Sequence, residues 1–212
     1  MRGFSGKGSG WGLALAVLLP LTAANAQTDS VTLAGEEAPT AAAEAAPASA
    51  ITGPIRLEVD VSDRVLRVIA ADEVVKTYTV AVGASAHPTP RGAFSIRRLI
   101  WNPRWVPPNA AWARGKTPKG PDDPGNPMGR VKLFFSEPDY YIHGTENQAS
   151  LGRAESHGCV RMANSDVVEL AQLVMEHGGQ PRPQSWFHRI LNVVRSTNEV
   201  RLSTPVSVIV VS

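Results

Sequence analysis

The feature that most constrains the fold is a regular alternation of apolar and polar residues over positions 55–83, "IRLEVDVSDRVLRVIAADEVVKTYTVAVG". Ile55, Leu57, Val59 and Val61 fall on one face, which is the two-residue period of a half-buried strand. A polar break at residues 70–73 indicates a turn between two such runs. The segment therefore predicts an antiparallel β meander at the start of the folded region.

The rest of the chain also favours strands and turns, because 18 glycines and 17 prolines disfavour long helices. We expect a turn and strand in "HPTPRGAFSI" (87–96), strands in "VKLFFS" (131–136) and "DYYIHGT" (139–145), and two closing strand pieces split by Pro205. Apolar residues with helical spacing predict one helix after Cys159, capped by Asn164 or Ser165 and ended by Gly178 and Gly179. "SWFHRILNVVRS" (185–196) predicts a shorter second helix. The prediction is a mainly β domain with one or two packed helices.

The N-terminal residues have the order of a secretory signal. Arg2 and Lys7 precede the short apolar run "WGLALAVLLPL" and the cleavage pattern "ANA", so residues 1–26 are predicted to be removed on export. An uncleaved membrane anchor is the alternative; after cleavage we expect no membrane span. Residues 27–52 are rich in alanine, proline and acidic residues and predict a flexible linker, which leaves residues 53–212 as the domain.

The charge balance gives no reason to expect a nucleic-acid partner. The chain has 21 Lys and Arg against 19 Asp and Glu, and without Arg2 and Lys7 the two counts are equal. Residues 97–132 are locally basic, with eight Lys and Arg residues and two Asp residues. They include a loop (101–130) that carries three tryptophans. This loop is either a solvated connection with scattered basic residues or a lid over a cleft that receives an anionic ligand.

Cys159 is the only cysteine, so an exported form of this chain cannot form an internal disulfide. It lies in "SHGCVRM" (156–162), with His157 beside it and His143 upstream. Three interpretations remain open from the residues alone. The thiol is a nucleophile activated by a histidine, or a buried small apolar group, or a zinc ligand together with His143 and His157. The spacing fits none of the usual zinc motifs, and we expect neither a metal nor another cofactor.

Two matched blocks, "YIHGT" (141–145) and "SHGCVR" (156–161), resemble the active-site signature of the L,D-transpeptidases of bacterial cell walls, the YkuD-like family. "PTPRGAF" (88–94) and "NPMG" (126–129) are similar to further motifs of that family. The resemblance covers roughly residues 55–180 and implies a β-sandwich-like fold of mixed sheets around a cleft.

The resemblance also implies residue roles. Cys159 would be the nucleophile and His143 the general base, oriented by the Ser156 hydroxyl or the Gly144 carbonyl. His157 and Gly158 would shape the loop, and the N–H groups of Gly158 and Cys159 would form an oxyanion hole. Gly144 is also placed among the substrate-binding residues. Arg161 would hold a substrate carboxylate, unless it braces the loop through an ion pair.

The activity that the resemblance implies is attack on a peptidoglycan tetrapeptide stem, release of D-alanine and formation of a 3→3 cross-link. The acyl acceptor could instead be a lysine of an outer-membrane lipoprotein or water. A wall-binding module without catalysis is the alternative from another class. The expected location is the periplasm or cell-wall space of a bacterium.

Overall fold

The computed structural model describes residues 51–193 and 195–212, which contain ten β-strands and two α-helices. The predicted signal peptide, and the predicted linker up to residue 50, lie outside the described residues. The elements in chain order are β1 (Ile55–Asp60), β2 (Val65–Ala70), β3 (Glu73–Thr79), β4 (Val82–Gly83), β5 (Gly92–Trp101), β6 (Val131–Ser136), β7 (Tyr140–Thr145), β8 (Ala154–Ser156), β9 (Val160–Ala163), α1 (Asn164–His177), α2 (Gln184–Asn192) and β10 (Asn198–Val211).

Eight strands form one mixed sheet in the order β3-β2-β1-β10-β5-β6-β7-β9, and β4 pairs with β8 in a separate two-stranded sheet. The antiparallel meander β1-β2-β3 is confirmed, with its second turn at Ala71 and Asp72, both of which have positive φ. Two pairs in the large sheet, β1 with β10 and β7 with β9, are parallel. The expected mainly β architecture of mixed sheets with two packed helices is confirmed.

The C-terminal segment differs from the prediction of two separate strand pieces. It forms one strand, β10, that pairs with β5 along most of its length and shifts register between Arg201 and Val206. Proline has no backbone N–H and is tolerated at such an irregularity, so the strand continues past Pro205. β10 therefore lies inside the sheet, between β1 and β5.

Helix α1 packs on the sheet through its predicted apolar face, with Val167, Leu170, Ala171 and Val174 all buried. The prediction that Asn164 or Ser165 caps this helix is wrong. Ala163 occupies the cap position, with no side-chain cap hydrogen bond. The Asn164 side chain instead accepts a hydrogen bond from the Arg130 backbone N–H at 3.0 Å. This bond holds the end of the loop between β5 and β6 against α1. Among the described residues, no helix is long and apolar enough to cross a membrane.

The loop between β5 and β6 is held by hydrogen bonds along its length. Asn102 N–H donates to the Arg130 carbonyl at 2.8 Å and closes the base of the loop. Trp105 and Lys119 exchange two backbone hydrogen bonds of 3.0 and 2.9 Å. The Asn126 side chain donates to two further carbonyls within the loop. These bonds give the loop a defined conformation without regular strands.

Candidate active site

A cleft of about 800 Å³ lies where the loop between β5 and β6 faces β7 and the turn before β9. Residues from both sides line it. The loop contributes Trp105, Trp112, Lys116, Lys119, Pro127 and Met128, and the sheet side contributes Asp139, Tyr140, Tyr141, His143, Ser156, His157, Cys159 and Arg161. Five of the predicted site residues therefore face the same cavity as the tryptophan-bearing loop, whereas Gly144 and Gly158 are not among the residues that line it.

The parallel pairing of β7 and β9 brings the two halves of the sequence motif together. Ile142 lies opposite Val160, and His143 lies opposite Arg161. Side chains alternate between the two faces of a strand, so Ile142 and Val160 are buried in the core. Their neighbours Tyr141, His143, Cys159 and Arg161 line the cleft on the opposite face.

His143 is buried, and its ring is oriented by its own strand. Nδ1 lies 2.7 Å from the Gly144 carbonyl oxygen. A carbonyl can only accept, so Nδ1 carries the proton and Nε2 of the neutral ring is left as an acceptor. Burial lowers the pKa of His143 to about 3, helped by the charges of Arg161 and Lys132. The carbonyls of Gly144 and Pro127 oppose that shift by favouring the protonated ring. At neutral pH the imidazole is therefore an uncharged proton acceptor.

Cys159 is half-buried, and its thiol lies 3.4 Å from the Asp139 carbonyl, to which it donates. Burial raises the pKa of the Cys159 thiol above its ordinary value. Hydrogen bonds from the Tyr141 backbone and side chain oppose this increase, as do the positive charges of Lys132 and Arg161. The resting site therefore holds a protonated thiol whose surroundings are arranged to accept a negative charge on Sγ.

Ser156 holds the turn that carries the cysteine. Its hydroxyl donates to the Cys159 carbonyl at 2.5 Å and accepts from the Gly158 N–H at 3.0 Å. Gly158 has φ +106°, and a Cβ there would lie 2.7 Å from Tyr140 Cε1, so only glycine fits. Of the two groups expected to orient His143, the Gly144 carbonyl makes the contact. The Gly158 N–H, expected in the oxyanion hole, is occupied by Ser156 in this structure, which leaves the Cys159 N–H as the remaining candidate.

Gly144 is tightly enclosed by neighbouring groups. A Cβ at this position would clash with Asn164 Oδ1 and lie 3.1 Å from the Arg130 backbone N. Gly144 therefore allows α1 and the end of the loop to approach β7 closely. Its backbone carbonyl is the group that it presents to His143.

His157 contacts the loop between β5 and β6. Its ring stacks on Trp112, with ring centroids 4.0 Å apart and planes inclined by 20°. His87 lies on another side, at 4.9 Å between centroids. Burial lowers the pKa of His157, and the neighbouring His87, Arg161 and Lys116 add to that effect. His157 thus joins the cysteine turn to the loop that covers the cleft.

Arg161 is half-buried, and its backbone exchanges two hydrogen bonds with Ala81. Its side chain forms no ion pair with any residue in 51–193 or 195–212. The alternative in which Arg161 braces the loop through an ion pair therefore gains no support. Its guanidinium remains available to an anion in the cleft.

The zinc interpretation also gains no support from the part of the chain that the structure describes. There, no three His, Cys, Asp or Glu side chains converge closely enough to hold a metal ion. His143 directs Nδ1 to a carbonyl, and the ring of His157 is stacked on Trp112.

Two residues beside the thiol, Tyr141 and Lys132, were missed by the sequence analysis. Tyr141 lies two positions before His143 in the same strand, so the alternation of β7 could have placed it on the His143 face. Lys132 lies opposite His143 in the β6–β7 pair, and that register is not visible in the sequence.

Comparison with known proteins identifies relatives of this chain. A family model described as "L,D-transpeptidase catalytic domain" (YkuD) matches residues 54–208. The protein named "Putative L,D-transpeptidase YkuD" from Bacillus licheniformis is 42% identical over 123 residues, covering 58% of this chain and 62% of the relative. The protein of the same name from Bacillus subtilis is 37% identical with the same coverage. The chain thus spans less than two thirds of the length of these relatives.

Among solved structures, the catalytic domain from an E. faecium L,D-transpeptidase matches 76% of this chain and 98% of that domain, with 19% identity and a TM-score of 0.46. That likeness is too distant to bear on the site.

Proposed function

The chain belongs to the YkuD family of L,D-transpeptidase catalytic domains, and from that premise we propose that it is an L,D-transpeptidase with Cys159 as its nucleophile. The observation that carries this proposal is the β7–β9 register, which places Cys159 and His143 on one wall of the same cleft. The contact of His143 Nδ1 with the Gly144 carbonyl supports it, because a neutral ring with its proton on Nδ1 accepts a proton at Nε2.

The proposed donor is a peptidoglycan tetrapeptide stem that ends in a diamino acid and D-alanine. The Cys159 proton moves to His143, and Sγ attacks the carbonyl carbon of the diamino acid. The carbonyl oxygen becomes an oxyanion, for which the Cys159 N–H is the backbone donor candidate, because the Gly158 N–H is bonded to Ser156. As the C–N bond breaks, His143 returns its proton to the nitrogen of D-alanine. D-alanine leaves, and a thioester on Cys159 remains.

The second half of the reaction uses the same groups in reverse. The side-chain amine of a diamino acid in a second stem attacks the thioester and loses a proton to His143. The C–S bond breaks, the thiolate regains that proton, and the new amide is a 3→3 cross-link. If the acceptor is the lysine of an outer-membrane lipoprotein, the product is an anchored lipoprotein. If it is water, the enzyme acts as an L,D-carboxypeptidase.

The cleft has groups suited to an anionic peptide. Arg161 lies on the sheet side, with no ion-pair partner among the described residues, and Lys116 lies on the loop side. Stem peptides carry several carboxylates, so we propose Arg161 as the main carboxylate contact and the loop between β5 and β6 as a lid. We further propose export of the chain, with cleavage after Ala26, because the substrate lies outside the cytoplasm.

The decisive experiment measures acylation of the protein by a carbapenem. The β-lactam ring is a strained amide that a thiolate can open, so the adduct adds the full mass of the drug. We expect one adduct on the wild type, none on Cys159→Ala, and at least 100-fold slower acylation of His143→Ala, in line with the usual contribution of a general base. A wild type without an adduct would contradict the proposal and favour a non-catalytic wall-binding module.

The acceptor is identified separately. Tetrapeptide stems would be supplied alone, with a second stem, and with a lysine-containing peptide, and products would be read by mass spectrometry. A cross-linked dimer supports the transpeptidase proposal. If all three reactions yield only the tripeptide, the enzyme is an L,D-carboxypeptidase and the transpeptidase proposal is contradicted.

A further inference from the structure

A row of alternating cations and aromatic rings crosses β5, β6 and β7 and ends beside Cys159. The Arg98 guanidinium lies 3.8 Å from the centre of the Phe134 ring. The Lys132 ammonium lies 4.9 Å from that ring and 4.2 Å from the ring of Tyr141. Phe134 and Tyr141 meet edge to face, with centroids 5.4 Å apart. This row is separate from the motif residues to which roles are assigned above.

Lys132 is held in this row by its aromatic neighbours rather than by a carboxylate. No described Asp or Glu forms an ion pair with it. Burial lowers the pKa of Lys132, while the nearby Cys159 opposes that shift. Arg98, on the far side of Phe134, is paired with Glu137 at 2.8 Å and Glu199 at 3.5 Å. The cation whose charge is left uncompensated is therefore the one on the thiol side.

Tyr141 connects this lysine to the sulfur atom. Tyr141 is the cross-strand neighbour of Cys159, one position before the Ile142–Val160 pair, and both side chains line the cleft. Its side chain and backbone lower the pKa of Cys159 against the effect of burial. Its ring also packs edge to face on His143, with centroids 5.5 Å apart. The other charged or titratable side chains that line the cleft with Cys159 are Lys116, Lys119, Asp139, Tyr140, His143, His157 and Arg161. Asp139 presents its backbone carbonyl to the thiol, and its carboxylate raises the pKa of Tyr141.

We propose that Tyr141 is a further catalytic residue, which donates its O–H to the Cys159 thiolate, and that Lys132 is the positioning residue that acts through it. The ammonium above the Tyr141 ring favours negative charge at the hydroxyl and at the sulfur beyond it. When Cys159 gives its proton to His143, the negative charge on Sγ is stabilised by the Tyr141 O–H and N–H and by the positive charge of Lys132. Arg161 is left for the substrate. The inference rests on the proposed use of Cys159 as nucleophile.

The test is the pH dependence of Cys159 alkylation by iodoacetamide, followed by intact mass. The chain has one cysteine, so the reagent reports on this thiol alone. Thiolate reacts and thiol does not, so the inflection of the rate against pH is the apparent pKa of Cys159. We expect Tyr141→Phe and Lys132→Met to move that inflection to higher pH and leave the alkaline plateau unchanged. Below the inflection, their rates should fall by about 3- to 10-fold, since one unit corresponds to tenfold.

The controls separate this role from a structural one. Lys132→Arg keeps a cation over the ring and should restore the wild-type inflection. Lys76→Met removes a lysine over another tyrosine ring, Tyr78 at 6.0 Å, outside the cleft, and should leave the inflection unchanged.

Wild-type inflections in both Tyr141→Phe and Lys132→Met, or an equal shift in Lys76→Met, would overturn the inference. If circular dichroism shows that Lys132→Met does not fold, the inference is tested by the near-isosteric Tyr141→Phe alone. Failure of the carbapenem reaction would contradict the proposed function while leaving this titration measurable.

Discussion

Ser156 is the residue on which the conformation of the cysteine turn most directly depends. Its buried hydroxyl bonds the Gly158 N–H and the Cys159 carbonyl, so Ser156→Ala leaves two polar backbone groups without their partner. We expect a loss of about 2–3 kcal/mol in the free energy of unfolding, measured in urea, since each such group costs about 1–3 kcal/mol. Acylation by a carbapenem should slow at least about tenfold, because a misplaced nucleophile loses orientation.

Ser165→Ala is the matched control for this experiment. It removes another serine hydroxyl with a short contact, to Asp166 at 3.0 Å, but on the exposed surface. It should change both quantities little. An acylation rate of Ser156→Ala equal to that of the wild type would contradict the assigned role of the turn.

His143 is expected to make stability depend on pH. Its pKa is about 3 in the folded protein and near its ordinary value of 6.5 when unfolded, so between these values the unfolded chain binds the extra proton. Stability is therefore complete above about pH 6.5 and falls on acidification, with a slope that approaches about 1.4 kcal/mol per unit. From pH 7 to 4.5 this group should cost roughly 2–3 kcal/mol.

The comparison of wild type with His143→Asn isolates this effect. Asparagine can keep the hydrogen bond to the Gly144 carbonyl through its amide but cannot titrate. Urea unfolding at pH 7 and pH 4.5 should show a smaller loss for the variant than for the wild type. Equal losses would show that His143 is not held neutral by burial.

At the scale of elements, the loop between β5 and β6 depends on a stacking contact near its tip. Trp112 stacks on His157, and Lys116 lies 4.9 Å from the centre of the same indole ring. Trp112→Ala removes the stack, and aromatic pairs contribute about 0.5–1.5 kcal/mol. We expect the KM for a tetrapeptide stem to rise about 2- to 10-fold, with a smaller change in kcat. Val106→Ala, a change at a 63% exposed position on the same loop, is the control. An unchanged KM for Trp112→Ala would contradict the role of the loop as a lid.

Some of these elements could be predicted from the sequence and others could not. The β1-β2-β3 meander follows from local alternation, because each turn joins neighbouring strands. The helical spacing of Val167 to Val174 likewise identified α1. In contrast, the parallel pairing of β10 with β1 joins opposite ends of the domain, which no local pattern specifies. The Asn164 side chain can either cap a helix or bond to another segment, and in this fold it accepts a hydrogen bond from Arg130 in the loop.

The same distinction applies to the site. Cys159 and His143 were predicted as site residues because both lie in short motifs that can be recognised from sequence, and the structure brings both to one cleft. Tyr141 lies in the first of these motifs, but the motif gave it no role, and Lys132 lies outside both motifs. The β6-β7-β9 register brings these residues to the site, and registers depend on which faces the whole sheet buries. The Gly158 N–H was expected to face an oxyanion, but the competing Ser156 hydroxyl, two residues away, accepts it.

At the scale of the molecule, the central position of β10 makes the sheet one cooperative unit. Val208 is fully buried and lies opposite Leu57 of β1 and Phe94 of β5, so it joins the N-terminal meander to the strands that lead to the cleft. Val208→Ala removes two buried carbon atoms and leaves a cavity, at a cost of roughly 2–3 kcal/mol. Because β10 contacts both halves of the sheet, we expect this loss to appear wherever unfolding is observed.

Two probes report on the centre and on one edge of the sheet. Tryptophan fluorescence includes the buried Trp101 of β5, which lies opposite Asn198 of β10, and carbapenem acylation reports on Cys159 near the β9 edge. Their urea transitions should coincide in the wild type and move together to lower urea in Val208→Ala, with an unchanged slope. Val74→Ala, 54% exposed on edge strand β3, should move neither. Loss of acylation at lower urea than loss of fluorescence would mean that the edge carrying the cysteine opens without the central strands, and it would contradict a sheet that unfolds as one cooperative unit.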